Sequence, residues 1–367
     1  MNPLRLNLIW PVLWIAVLSA CGKQPLATTA GDSIPAPALS AVPTTSAKPY
    51  KNVRQVYVKK GVIYVGHEEG LSVSRDYGVT WTTFRMGSDV AGTVQGVESI
   101  AVSDSGTIYV SLKGGVSYSP DLGKTWSAPI TGNASIDQNG GYAANLTTDG
   151  KVIYASVGPF GNGGFGFSYF DESNPRAGWI NLRVGSHSGY FNYIRIFPTQ
   201  NSVFAIDNDQ QGDGAIMRAP NPSSNFVNVA PHGTLSTETV TSLAAAGGNL
   251  LLVASDGYFI STNGGGTWTA NSNLPAYVSN VVYDGSRVWG TYYLENSAQT
   301  GLIFGLFYSD DNGQTFANFP IPSLTAFATF NNGAAPSAEG DILVLGSWGQ
   351  GVAISTDHGA TFQITGP

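Results

Sequence analysis

The chain has 367 residues, 46 of them glycine, with 42% hydrophobic and 11% charged residues and a formal net charge of −7. This apolar content excludes a disordered chain, and the acidic balance excludes nucleic acid as a partner. The length admits two ordinary domains or one large all-β domain.

In chain order, residues 1–20 carry Arg5 as their one charge, then an apolar run over residues 8–18 and small residues before Cys21. The pattern predicts an export signal, and the run is short for a bilayer span. The following "LSAC" resembles the lipobox of bacterial lipoproteins. That resemblance implies cleavage before Cys21, a lipid on its sulfur and, with Gly22 rather than aspartate next, delivery to the outer membrane of a Gram-negative host. Cys21 is the only cysteine, so no internal disulfide forms. Loss of the signal leaves 16 basic and 24 acidic residues, a net charge of −8.

Residues 21–51 are rich in Pro, Ala, Ser and Thr without apolar periodicity, and predict a flexible tether. Residues 52–367 are expected to fold as one unit. Beyond Lys151 this part carries five arginines against fourteen acids, a surface that repels polyanions and attracts cations.

The octet "SRDYGVTW" at Ser74 recurs as "SPDLGKTW" at Ser119, "STNGGGTW" at Ser261, "SDDNGQTF" at Ser309 and "STDHGATF" at Ser355. The third positions, Asp76, Asp121, Asn263, Asp311 and Asp357, are separated by 45, 142, 48 and 46 residues. The long interval equals three periods, so two degenerate copies are expected inside it. A Gly-x-x-x-Ser segment precedes each clear octet, and "GFGFS" at Gly164 and "GAIMR" at Gly214 fill the gap. Seven apolar runs, from "VIYVG" at Val62 to "ILVLG" at Ile342, precede these segments in turn. Short β-rich runs, glycine turns and a period near 45 predict an all-β fold, a single seven-bladed β-propeller. The inner strands are expected near Val53, Val97, Ala143, Phe191, Val240, Val278 and Phe327.

Asp and Ser side chains bind nearby backbone amides and Gly permits a positive φ, so the octet reads as a self-sufficient turn. Ser-x-Asp-x-Gly-x-Thr-Trp resembles the Asp box, or BNR repeat, of sialidases, xyloglucanases, sortilin-type receptors and a photosystem II assembly factor. The resemblance implies turns between the third and fourth strands, away from the ligand face, and a structural role for Asp76, Asp121, Asn263, Asp311 and Asp357.

Ligands of propellers bind at a channel mouth. The loops expected there carry Glu68, Glu69, Glu98, Asp137, Glu238 and Glu295, with Tyr142, Phe160, Tyr190, Tyr293 and Trp348 as ligand-binding aromatics. "DNDQQGDG" places Asp207, Asp209, Gln211 and Asp213 as candidate calcium ligands, although position twelve is Arg218 instead of glutamate. No other cofactor is implied. The four histidines are scattered over four blades, which argues against zinc.

Three readings stand. The first is an envelope-anchored, monomeric binding or scaffold lipoprotein that takes a protein or glycan at the mouth. The second is a glycoside hydrolase using two carboxyls among Glu68, Glu69, Asp137, Glu238 and Glu295. The sialidase-like form of it lacks the matching arginine motif, since "YIRIFP" at Tyr193 interposes Phe197 before the proline. The third is an assembly factor for a membrane complex.

Overall fold

A computed structural model describes residues 43–45, 52–87, 95–112, 115–128, 143–160, 164–183, 193–199, 201–208, 215–230, 240–254, 257–271, 278–295, 302–319, 335–347 and 351–365. The inner strands are Val53–Lys59, Ser99–Val102, Ala143–Thr148, Tyr193–Thr199, Val240–Ala246, Val278–Tyr283 and Ser337–Glu339. Each opens an antiparallel sheet whose strands follow in chain order, giving seven blades. Among the described residues, blade 2 has three strands, blade 1 five and the others four.

The second strands explain how the apolar runs build the ring. Val62–His67 is buried along nearly its whole length because a blade is covered on both sides. Ile63 and Val65 pack on Val344, Val352 and Ile354 of blade 7, while Tyr64 packs on Ile100 and Val102 of blade 2. Alternation along a strand thus divides its side chains between two seams. Among the described residues there are seven apolar clusters, one for each seam.

Closure uses one of these seams. Val53, Val56 and Val58 of blade 1 join the blade 7 cluster, and Val58 N donates to Ser337 Oγ at 2.9 Å. The strand Pro43–Thr45 pairs instead with Thr82–Phe84, the outer strand of blade 1. Pairing therefore begins nine residues before the boundary placed at 52, inside the stretch read as tether. Proline at the outer edge breaks no ladder bond, and Thr44 and Thr45 are β-branched, so this short strand is compatible with its sequence.

The octets follow the third strands and, in blades 1, 5, 6 and 7, lead into the fourth. In blade 1, Ser74 Oγ donates to Asp76 Oδ1 at 2.8 Å and accepts from Gly78 N at 2.7 Å. Asp76 accepts from Thr80 N and Thr80 Oγ1 at 2.8 and 2.5 Å. The same pattern holds for Asp121, Asp311 and Asp357. Asn263 keeps the accepting oxygen and turns its Nδ2 to Thr267 Oγ1 at 2.9 Å.

Each turn is also an inter-blade joint. The fourth and fifth positions have positive φ throughout, and the fifth is always glycine. A Cβ on Gly123 would meet the Phe84 ring of blade 1 at 2.6 Å, and one on Gly359 would meet Trp289 of blade 6 at 2.9 Å. The closing aromatics Trp81, Trp126, Trp268, Phe316 and Phe362 enter the seam with the preceding blade. Trp179 and Phe226 take the same place in blades 3 and 4, where the octet is degenerate.

Two octets place a bulky side chain in the left-handed region, Tyr77 at φ 57 and Leu122 at φ 62. Leu122 is 48% exposed with φ 62, where blade 6 has Asn312 at φ 57. A leucine in the left-handed region costs about 1–2 kcal/mol and asparagine less. Leu122→Asn is expected to stabilise the protein by about 1 kcal/mol, read as a higher urea midpoint.

Candidate functional site at the channel mouth

Loops between second and third strands lie on the same side as the segments linking one blade to the next. On this side Glu68 and Glu69 form the tight turn between Val62–His67 and Gly70–Ser74. The turn is anchored by His67, whose Nδ1 accepts from Glu69 N at 3.2 Å. Nε2 therefore carries the proton and donates to Ser72 Oγ at 2.9 Å, and Ser72 contacts Thr83 Oγ1 at 2.8 Å. His67 is fully buried, and burial, with Arg54 nearby, pushes its pKa down to about 3. It holds the loop as a neutral imidazole.

Arg85 binds Glu69 at 3.2 Å, and Arg54 forms an ion pair with Glu98. Glu68 differs: its Oε2 is shielded from solvent without a hydrogen-bond partner among the described residues, and so is Oε1 of Gln95 in the next linker. The two residues are neighbours, since a Cβ on Gly96 would lie 3.0 Å from the Glu68 Cα. Each orphaned acceptor costs about 1–3 kcal/mol, which a ligand bringing N–H or O–H donors recovers when the side chain turns outward to meet it. Ser347 Oγ and Ser156 Oγ are also buried and unpartnered among the described residues, the first at the end of the second strand of blade 7 and the second midway along that of blade 3.

Inner-strand polar residues brace the channel beneath the mouth. Gln55 Oε1 accepts from Ile100 N at 2.5 Å, Ser99 Oγ from Leu146 N at 2.8 Å and Ser242 Oγ from Val281 N at 3.2 Å. All three stand third in the aligned inner-strand repeat and reach the next blade. Sequence reasoning passed over them, although a polar residue recurring in an apolar strand was the available signal.

The structure describes part of the predicted site. Asp137, Glu238, Tyr142, Tyr190, Trp348, Asp209, Gln211, Asp213 and Cys21 lie outside the described residues. The backbones of Phe160, Asp207, Tyr293 and Glu295 belong to the second strands of blades 3, 4 and 6, and their side chains are not among those described. Among the described residues no group of three or more His, Cys, Asp or Glu side chains is arranged to hold a metal. Of the described acids, Glu69 and Glu98 are engaged by guanidinium groups. A glycosidase pair needs two carboxyls facing each other across a substrate groove, and among the described residues of this seam Glu68 stands without an ion-pair partner.

No family model matches the chain, and no curated protein matches it. Solved structures do. The structure of YCF48 bound to D1 peptide aligns with TM-score 0.57 at 14% identity, over 84% of this chain and 95% of that one. YCF48 from Cyanidioschyzon merolae gives 0.56 at 14%, over 87% and 99%. Sqt1 of Saccharomyces cerevisiae gives 0.53 at 11%, over 89% and 88%. At these identities the likeness shows the fold alone: the chain is a seven-bladed β-propeller.

Proposed function

We propose that the protein is an envelope lipoprotein, tethered through a lipid on Cys21, whose propeller presents its channel mouth to a protein partner. The observation that carries this reading is the pair of orphaned acceptors, Glu68 Oε2 and Gln95 Oε1, on the seam between blades 1 and 2. A peptide backbone or amide side chain supplies the missing donors. The YCF48 propeller, of like fold, is described with a bound peptide, which supports protein as the ligand class. The repeated octet geometry supports membership of the Asp-box group, in which the turns serve the fold and the opposite mouth serves the ligand. Outer-membrane delivery rests on Gly22 after the lipidated cysteine.

The test is photo-crosslinking of the full chain in intact envelopes, with the reactive residue at position 69, beside Glu68, or, on the octet side, at position 122. A protein adduct from position 69 and none from 122 is expected. Adducts from 122 alone, or an adduct at 69 that glycosidases remove and proteases leave, overturn the proposal.

A further inference from the structure

A second site lies on the opposite side of the ring. A cleft of about 340 Å³ opens between blades 3 and 4, lined by Asp149, Tyr154, Tyr169, Asp171, Ser202 and the turn residues Pro220, Asn221, Pro222 and Ser223. Its volume is in the range of small-ligand sites.

The sequence explains why it opens here. Residues 219–226 are the blade 4 counterpart of the octet, with Asn221 third and the closing aromatic Phe226 eighth. Position four is Pro222, whose ring fixes φ near −65°, and position five is Ser223 instead of glycine. The double left-handed step that seats the other turns on the preceding blade is therefore unavailable. Asn221 instead gathers Ser223 Oγ and Ser224 Oγ at 2.8 and 2.9 Å, and space remains against blade 3.

The lining has a definite chemistry. Tyr169 is only 7% exposed, yet its hydroxyl has no hydrogen-bond partner among the described residues, and it borders the cleft. Tyr169 and Asp171 line the same wall of the cleft, and burial and then the Asp171 carboxylate raise the Tyr169 pKa. Asp171 receives Ser173 N and Oγ on Oδ1 at 2.8 and 2.6 Å. Asp149 receives Tyr154 OH on Oδ2 at 3.1 Å, and Lys151 N and Val152 N on Oδ1. Among the described residues no basic side chain lines the cleft. Arg218 donates Nε to Ser202 Oγ at 2.8 Å, and its guanidinium lies beside Gly264 of blade 5.

We infer that this cleft binds an alkylammonium group, held by the Asp171 and Asp149 carboxylates with the Tyr169 hydroxyl as the remaining wall. Ammonium N–H donors satisfy the open acceptors. A free diamine and a lysine side chain of a peptide share this chemistry. The site is independent of the mouth.

The experiment is calorimetric titration of the full chain with cadaverine and with a blocked Gly-Lys-Gly peptide. Saturable one-to-one binding of at least one probe is expected, weakening with added salt and falling at least tenfold in Asp171→Asn. The better probe identifies the source. Ser223→Arg places the chain's own cation at the cleft and is expected to abolish binding while the urea midpoint is kept. Absence of saturable binding for both probes, or affinity unchanged in both variants, overturns the inference.

Discussion

Gly313→Ala is expected to cost about 4 kcal/mol of stability, whereas Gly106→Ala is expected to cost about 1–2 kcal/mol. The two glycines share one backbone demand, with φ 86 and 90. They differ in what a methyl group meets. At Gly106 there is nothing within 4 Å, but at Gly313 a Cβ would stand 2.5 Å from Tyr258 Oη and 2.6 Å from Leu251 Cδ2. Both neighbours are buried in blade 5, and Tyr258 donates its hydroxyl to Gly313 O at 3.2 Å. Left-handed strain is common to both variants, so the difference measures the fit of one blade's turn on the next. Urea denaturation of the two variants gives it directly. Equal losses would mean that the octet stabilises only its own turn.

The second large effect is a loss of stability in mild acid. Burial lowers the pKa of His67 from an ordinary 6.5 to about 3. The unfolded chain therefore takes up this proton first, and stability falls as pH drops below 6.5 until the folded state also protonates near 3. Between pH 6.5 and 4.5 the loss is on the order of 3 kcal/mol. His67→Asn is expected to flatten that interval, as read from urea midpoints at successive pH values. The octet carboxylates act in a lower window. Hydrogen bonds from Thr125 side chain and backbone hold Asp121 down to about 2, so its contribution is present above pH 4 and is lost between about 4 and 2. Acid sensitivity below pH 4 that survives in His67→Asn is thus assigned to the octets. An unchanged profile above pH 4.5 in that variant would mean that His67 is not held neutral.

At the candidate mouth, sequence and structure divide the work unevenly. Glu68 and Glu69 were legible as loop acids because a Gly-x-x-x-Ser strand follows them. Their different states were not legible. Arg85 lies 16 residues beyond Glu69, and Gln95 approaches Glu68 only because the backbone at Gly96 packs against the turn. His67, scattered in sequence from the other histidines, becomes the buried anchor of the loop by the same approach of strands.

The sequence by itself determined the number of blades, the turn in five of them and the class of fold. Each of these rests on local chemistry: a serine and an aspartate binding amides two to four residues away, glycine at a positive φ, and apolar runs repeated at a fixed period. Contacts between blades were decided only by the tertiary structure. Closure through the cluster of Val56 and Val344, the braces from Gln55 and Ser242, and the cleft beside Tyr169 all join residues about 30 to 300 positions apart. Blade 4 shows how the two levels meet: Pro222 and Ser223 are visible as departures from the repeat, but the space they open exists only against Tyr169 and Asp171 of another blade.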